Sequence, residues 1–299
     1  MKNKKITFLS GAGASFGCGK VVPYNPPLGS DLYEDLEIQA PTIMDQINNV
    51  IGRKNINNFE KKMNEIWKSG RINGFMLNSF LARYFSRFSP AITNNYFIEM
   101  ARIIQDNFSA DFVYSTLNYD CIAELAASGI GFKVNYMGEF KRETFNVLKL
   151  HGSCNFINDS MQGRGNISAG LLRGTVDGGA VSIVQPNQVD TYLQVRPLGP
   201  VMAFYMKNKP TQTNKSFLEK IQNSWEKRVL ESEKIVIIGV NPNPDDKHVW
   251  NPLQKTKAKI GFVGGKKSFA KLKKLQLKKV PKQISNSFED STEEIENFL

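Results

Sequence analysis

Three clusters of small and polar residues follow three short apolar runs in this chain, and each has the make-up of a ligand-contacting turn. The first is Gly11-Ala12-Gly13-Ala14-Ser15, after the run from Lys5 to Ser10. Glycines there admit a sharp turn and leave backbone N–H groups open to an anion such as phosphate. The second is Asn118-Tyr119-Asp120, with Ser115 and Thr116 just before it. Helix capping, worth about 1 kcal/mol, explains one of these residues but not four polar side chains crowding one strand end. The third is His151-Gly152-Ser153, after Val147-Leu148-Lys149-Leu150. Imidazole can take a proton or hold a sugar hydroxyl near neutral pH. Residues just past the carboxyl ends of parallel strands gather in one crevice, so the three clusters are expected to share a site.

Two familiar phosphate loops fail on the first cluster. With Gly19-Lys20 closing a triphosphate loop, the opening glycine would fall on Ala14 and the hydroxyl position holds Val21. The dinucleotide fingerprint Gly-x-Gly-x-x-Gly meets Phe16 at its last place, with Gly17 one residue late. Binding of a dinucleotide or phosphate is still preferred to a purely structural turn.

The elements that must position these clusters read as an α/β chain. Buried parallel strands are expected at Asp111–Leu117, Phe132–Tyr136, Phe145–Leu150, Lys234–Gly239 and Lys259–Val263, with helices at Asp120–Ser128 and Phe217–Leu230. Ser30-Asp31 caps a helix through about Leu36. Residues 42–107 read as helices, with apolar stripes Ile43/Ile47/Ile51, Phe59/Met63/Ile66 and Phe80/Tyr84/Phe88. The expected fold is therefore a Rossmann-like parallel sheet, residues 1–41 and 108–285, carrying a helical insertion at 42–107 and an acidic tail at 286–299. The stretch from Asn155 to Pro200, rich in Gly, Asn and Gln, reads as a loop-rich cover with one short strand at Val181–Val184.

Charge and cysteine usage narrow the class. The net charge is +11, and eleven lysines with no acidic residue lie between Lys255 and Lys282, a strip able to meet nucleic acid or an acidic partner. Phe269, Leu272 and Leu275 recur every third residue within it, so a solvated helix face is the favoured reading. The apolar run Ile6 to Leu9 is too short for a signal peptide, and no stretch is long enough for a membrane span. Cys18, Cys121 and Cys154 are scattered and odd in number, which argues against a disulfide framework or a structural zinc site and suits the cytoplasm.

Taken in order, these stretches resemble the sirtuin family. Gly11-Ala12-Gly13-Ala14-Ser15 matches its Gly-Ala-Gly-x-Ser loop. Thr116-Leu117-Asn118-Tyr119-Asp120 is similar to its Thr-Gln-Asn-x-Asp segment, with Leu117 in the Gln place, and Leu150-His151-Gly152-Ser153 to its His-Gly segment. Ile237-Ile238-Gly239-Val240-Asn241 resembles the late strand whose Gly-x-Ser end holds the adenosine ribose, with Asn241 in the Ser place. The likeness runs from the first strand to about residue 265. It implies NAD as substrate, Asn118 and His151 as the catalytic pair, and Gly11, Ala12, Gly13 and Ser15 around the pyrophosphate. Asp120, Gly152, Ser153, Gly239 and Asn241 are implied as further NAD contacts.

The departures from that family are informative. The four-cysteine zinc module and the Pro-Asp-Phe-Arg segment are missing, and Pro23-Tyr24-Asn25-Pro26-Pro27 stands after the glycine loop instead. The wording is similar to the bacterial sirtuin-like branch that hydrolyses NAD in antiphage defence, as is Asn243-Pro244-Asp245-Asp246-Lys247-His248 to that branch's Pro-x-Asp-x-His tail. The resemblance therefore implies a metal-independent NAD hydrolase, an abortive-infection effector silent until a partner subunit or self-assembly into an oligomer triggers it. The alternatives are an NAD-dependent deacylase or ADP-ribosyl transferase, and a non-catalytic nucleotide sensor or nucleic-acid-binding subunit.

Overall fold

The computed structural model describes residues 4–52, 59–107, 111–136, 140–141, 143–159, 175–196, 198–204, 206, 210–289 and 291–299. Along the chain, β1 (Lys5–Ser10) and α1 (Ala12–Phe16) lead to β2 (Gly19–Val22). Helices α2 (Leu32–Gln39), α3 (Pro41–Ile51), α4 (Phe59–Ser69) and α5 (Gly74–Ser86) precede β3 (Ser89–Asn95), α6 (Tyr96–Asp106) and β4 (Asp111–Thr116). Next come α7 (Ile122–Gly129), β5 (Lys133–Tyr136), β6 (Thr144–Lys149), β7 (Gly152–Asn158), β8 (Val181–Ile183), α8 (Val189–Val195) and β9 (Pro200–Met202). The remainder alternates: α9 (Lys215–Glu231), β10 (Lys234–Ile238), α10 (Lys247–Lys255), β11 (Lys259–Val263), α11 (Lys266–Lys273), β12 (Lys282–Ser285) and α12 (Thr292–Phe298).

Seven of these strands form one parallel sheet in the order β12-β11-β10-β1-β4-β6-β5, a Rossmann-like α/β arrangement. The central strands are continuous apolar runs because helices cover both faces; Ile235 to Ile238 and Phe8 to Leu9 are fully buried. The chain leaves β1 towards β4 on one side and returns to β10 on the other. The boundary between β1 and β10 is thus the switch point of the sheet, outside whose carboxyl ends open α/β sheets bind ligands.

The chain divides into two compact units, one made of Met1–Asn25, Phe88–Leu150 and Glu219–Leu299, the other of Pro26–Arg87 and His151–Leu218. The first holds the seven-stranded sheet and the antiparallel pair β2–β3. The second holds α2 to α5, α8 and a three-stranded antiparallel sheet in the order β8-β7-β9. The expectation that 42–107 is helical throughout needs correction at β3. Pro90 has no N–H to offer a helix, and Ile92 and Thr93 are β-branched; the segment pairs with β2, Val21 opposite Pro90. β3 and α6 lie in the unit of the large sheet.

The stretch expected as a loop-rich cover also departs from that reading. Its first residues extend β7, a strand buried along its whole length, and α8 comes later; residues 160–174 and 197 lie outside the described residues. β12, in a lysine-rich context, was not expected. On α11 the inward face is the one that periodicity implies: Leu272 is buried and Phe269 stacks on Phe262 at 5.6 Å between ring centroids. Among the described residues no helix is long and apolar enough to cross a membrane.

One buried cation ties the amino ends of the central strands together. Arg228 on α9, almost fully buried, donates to Asp111 Oδ2 at 2.7 Å, Thr7 Oγ1 at 3.2 Å and Ile6 O at 3.2 Å. Removing it leaves Asp111 without that counterion and two buried acceptors without their donor. Arg228→Ala is expected to lower the unfolding free energy by about 3 kcal/mol, read from urea denaturation followed by far-UV circular dichroism.

Candidate functional site

At the switch point, the loop after β1 rests directly on the end of β10. Gly11 N–H donates to Ile238 O at 3.0 Å and Gly13 N–H to Gly239 O at 2.9 Å. Gly239 sits at φ +61°, and a Cβ there would lie 2.1 Å from Ala14 N; one on Gly13 would lie 2.8 Å from Gly239 O. These glycines allow two backbones to touch. The expectation that the Gly11 and Gly13 N–H groups face a bound anion is therefore corrected: β10 takes them up. Ala14 N–H is held by Gly11 O at 2.8 Å, and Ala12, exposed, is the loop residue whose N–H meets no described acceptor.

From this loop a chain of side-chain bonds runs to the end of β4. Asn118, half-buried, donates through Nδ2 to Gly11 O at 3.0 Å and to Ser15 Oγ at 2.9 Å. A main-chain carbonyl only accepts, so the amide orientation is fixed and Oδ1 remains as its acceptor. Ser15 Oγ donates on to Asp120 Oδ2 at 3.0 Å, and Asp120 Oδ1 accepts from Ile122 N–H at 3.2 Å, the capping contact of α7. Thr116 Oγ1 receives Asn118 N–H at 3.0 Å and the Ser10 hydroxyl at 2.8 Å. The residues read from the sequence at the ends of β1, β4 and β10, namely Gly11, Ala12, Gly13, Ser15, Asn118, Asp120 and Gly239, thus form one cluster. Asn241, on the surface beyond β10, accepts from Lys271 Nζ at 2.9 Å through Oδ1.

Two buried residues of this neighbourhood were not singled out from the sequence. Lys149, fully buried at the end of β6, bonds Glu124 Oε1 at 3.0 Å and the Asp120 carbonyl. Its signal was a lysine inside an apolar strand. Burial pushes the Asp120 and Glu124 carboxyls above their ordinary values, with the Lys149 charge opposing it in each case. Burial, and then the Asp120 charge, raise the Cys18 thiol to about 12, so this loop cysteine stays a protonated thiol. Among the described residues no group of three or more His, Cys, Asp and Glu side chains is placed to hold a metal.

His151, Gly152 and Ser153 belong to the second unit. All three are buried, and His151 O accepts from Ala203 N–H at 2.9 Å. Gly152 has φ +81°, and a Cβ there would lie 2.1 Å from Val201 O, so the close approach of β9 accounts for the glycine.

No family model matches the chain, and no curated protein matches it. Among solved structures, one from work on the mechanism and regulation of Sir2 enzymes is similar at 12% identity and TM-score 0.46, over 99% of this chain and 92% of its own. A Sir2 homologue in complex with NAD is similar at 12% identity and TM-score 0.41, over 99% and 88%. A variant Sir2 homologue in complex with ADP-ribose is similar at 13% and 0.41, over 88% and 81%.

Two measurements check this geometry. Gly239→Ala forces a Cβ against Ala14 N at positive φ and is expected to cost about 2–4 kcal/mol in urea unfolding. Gly129→Ala, in α7 with nothing near its Cβ, should be neutral or slightly stabilising. The carboxyls of Asp120 and Glu124 supply a pH dependence. Because their folded pKa values are raised above the ordinary 3.8 and 4.5, their contribution is complete below those values and is lost as pH rises through the folded ones. Asp120→Asn should therefore gain stability relative to the parent as the pH rises above about 4.

Proposed function

We propose that the chain hydrolyses NAD+, converting NAD+ and water to nicotinamide, ADP-ribose and a proton. The observation that carries this reading is the Asn118 carboxamide, fixed by Gly11 O and Ser15 Oγ at the switch point of the sheet, with Oδ1 as the acceptor left over. Nicotinamide is a neutral leaving group from a cationic pyridinium, so the reaction needs no strong acid. The C1′–N bond breaks with its electron pair going to the ring nitrogen, and the ribose passes through an oxocarbenium-like state as in glycoside hydrolysis. Asn118 Oδ1 accepts from a ribose hydroxyl or from the attacking water and so orients it, and its dipole faces the developing positive charge. Ser15 and Asp120 hold Asn118 in place. Ala12 N–H offers a donor to the pyrophosphate, and Gly239 with Asn241 receives the adenosine end. His151, Gly152 and Ser153 keep the roles given by their resemblance to the sirtuin His-Gly-Ser segment, His151 holding a ribose hydroxyl or taking the proton that water loses.

As the wider role we propose a cytoplasmic defence effector that depletes NAD, controlled by a protein partner or by self-assembly because unrestrained turnover would harm its own cell. The basic surface between Lys255 and Lys282 is the candidate contact. Purified protein that empties NAD at full rate, with no change of oligomeric state, would remove the need for such control.

The deciding experiment is to incubate the protein with NAD, alone and with lysate from infected cells, and follow nicotinamide by chromatography. Asn118→Ala and His151→Ala should each reduce its release by at least about a hundredfold with an unchanged circular dichroism spectrum. Near-normal turnover in both variants removes the mechanism. Binding of NAD without release indicates a sensor, and a mass shift on an acceptor protein in proportion to nicotinamide indicates a transferase or deacylase.

A further inference from the structure

The carboxyl ends of β4, β1, β10 and β11 are neighbours in the sheet. Three strand spacings of about 4.8 Å separate the first from the last, so a dinucleotide lying across them from Asn118 reaches β10 and β11 with its adenosine half. Among the side chains there are an amide and a cation. Lys271, exposed on α11, donates to Asn241 Oδ1 at 2.9 Å, and it has no ion-pair partner among the described residues. Lys267 stands one turn earlier on the same helix, and Gly264-Gly265 join β11 to α11.

No acidic residue occurs from Lys255 to Lys282. Of the two between β10 and α10, Asp246 is buried and its carbonyl starts α10 by accepting from Val249 and Trp250 N–H. Asp245 is exposed in the turn that begins at Asn243. In sites of this topology a carboxylate hydrogen-bonds the adenosine ribose 2′-hydroxyl and repels a 2′-phosphate, whereas a cation accommodates the phosphate. A lysine on an uncharged amide gains little by itself in water, and its charge remains available to an anion.

Building on the proposed NAD reading, we infer that Asn241 and Lys271 form a recognition site for a ribose 2′-phosphate, which makes NADP a substrate preferred at the binding step. Asn241 orients the ammonium group through Oδ1, and Lys271 supplies the charge that distinguishes the phosphorylated from the unphosphorylated ribose.

Isothermal titration calorimetry with adenosine 2′,5′-bisphosphate and 5′-AMP tests this without catalysis. The parent protein should bind the bisphosphate about tenfold more tightly, the worth of one partly screened charge pair. Lys271→Glu should abolish or reverse that ratio, and Lys271→Arg should keep it. Lys257→Glu makes the same charge change at an exposed position before β11 and should leave the ratio as it is. Equal affinity for the two nucleotides, or a ratio indifferent to Lys271→Glu, overturns the inference and leaves the NAD reading standing. Failure to bind either nucleotide overturns both.

Discussion

The carboxyl edge of the sheet depends on how closely two backbones can approach where β1 meets β10. The loop after β1 gives two N–H groups to the main chain at the end of β10, and side chains at Gly13 or Gly239 would force the two apart. This contact sets the height of the loop above the sheet, and with it the position of Ser15. Ser15 in turn receives Asn118 and grips Asp120, so one main-chain contact propagates through three side chains to the end of β4. The glycines are thus required by the protein's own packing. The polar cluster is what this packing leaves at the carboxyl ends of β1 and β4.

Charges buried in the same unit act on the two ends of its strands. Arg228 holds the amino ends of β1 and β4 through Thr7, Ile6 and Asp111, and Lys149 holds the turn after β4 through Glu124 and the Asp120 carbonyl. Burying a cation with its carboxylate contributes little net stability, because desolvation offsets most of the attraction. What such pairs supply is geometry. A lysine inside an otherwise apolar strand places its charge where only one arrangement of the neighbouring turn satisfies it.

The central strands were legible in the sequence because strands covered on both faces are continuous apolar runs, as in Ile235 to Ile238. The polar clusters at Gly11–Ser15 and Asn118–Asp120 were legible because they interrupt such runs at the point where a strand must end. β3 was not, since its conformation arises from pairing with β2 across a long stretch of sequence. Nor was the grouping of α2 to α5 with residues 151–218, which depends on contacts between distant segments. The direction of the glycine N–H groups was misread for the same reason: their acceptors come from β10, and local sequence carries no trace of them. The close approach of β9 to Gly152 was equally invisible, because Val201 lies far along the sequence.

The meeting of β1 with β10 also orders events in time. β1 leaves the ribosome well before β10, the strand that completes its loop, and such distant pairings form late and slowly. Until residues around Gly239 have been synthesised, Gly11 and Gly13 have no acceptors and Ser15 has no fixed position. A nascent or truncated product that stops short of β10 therefore cannot present the assembled cluster, and whatever chemistry resides there is confined to chains synthesised past Gly239.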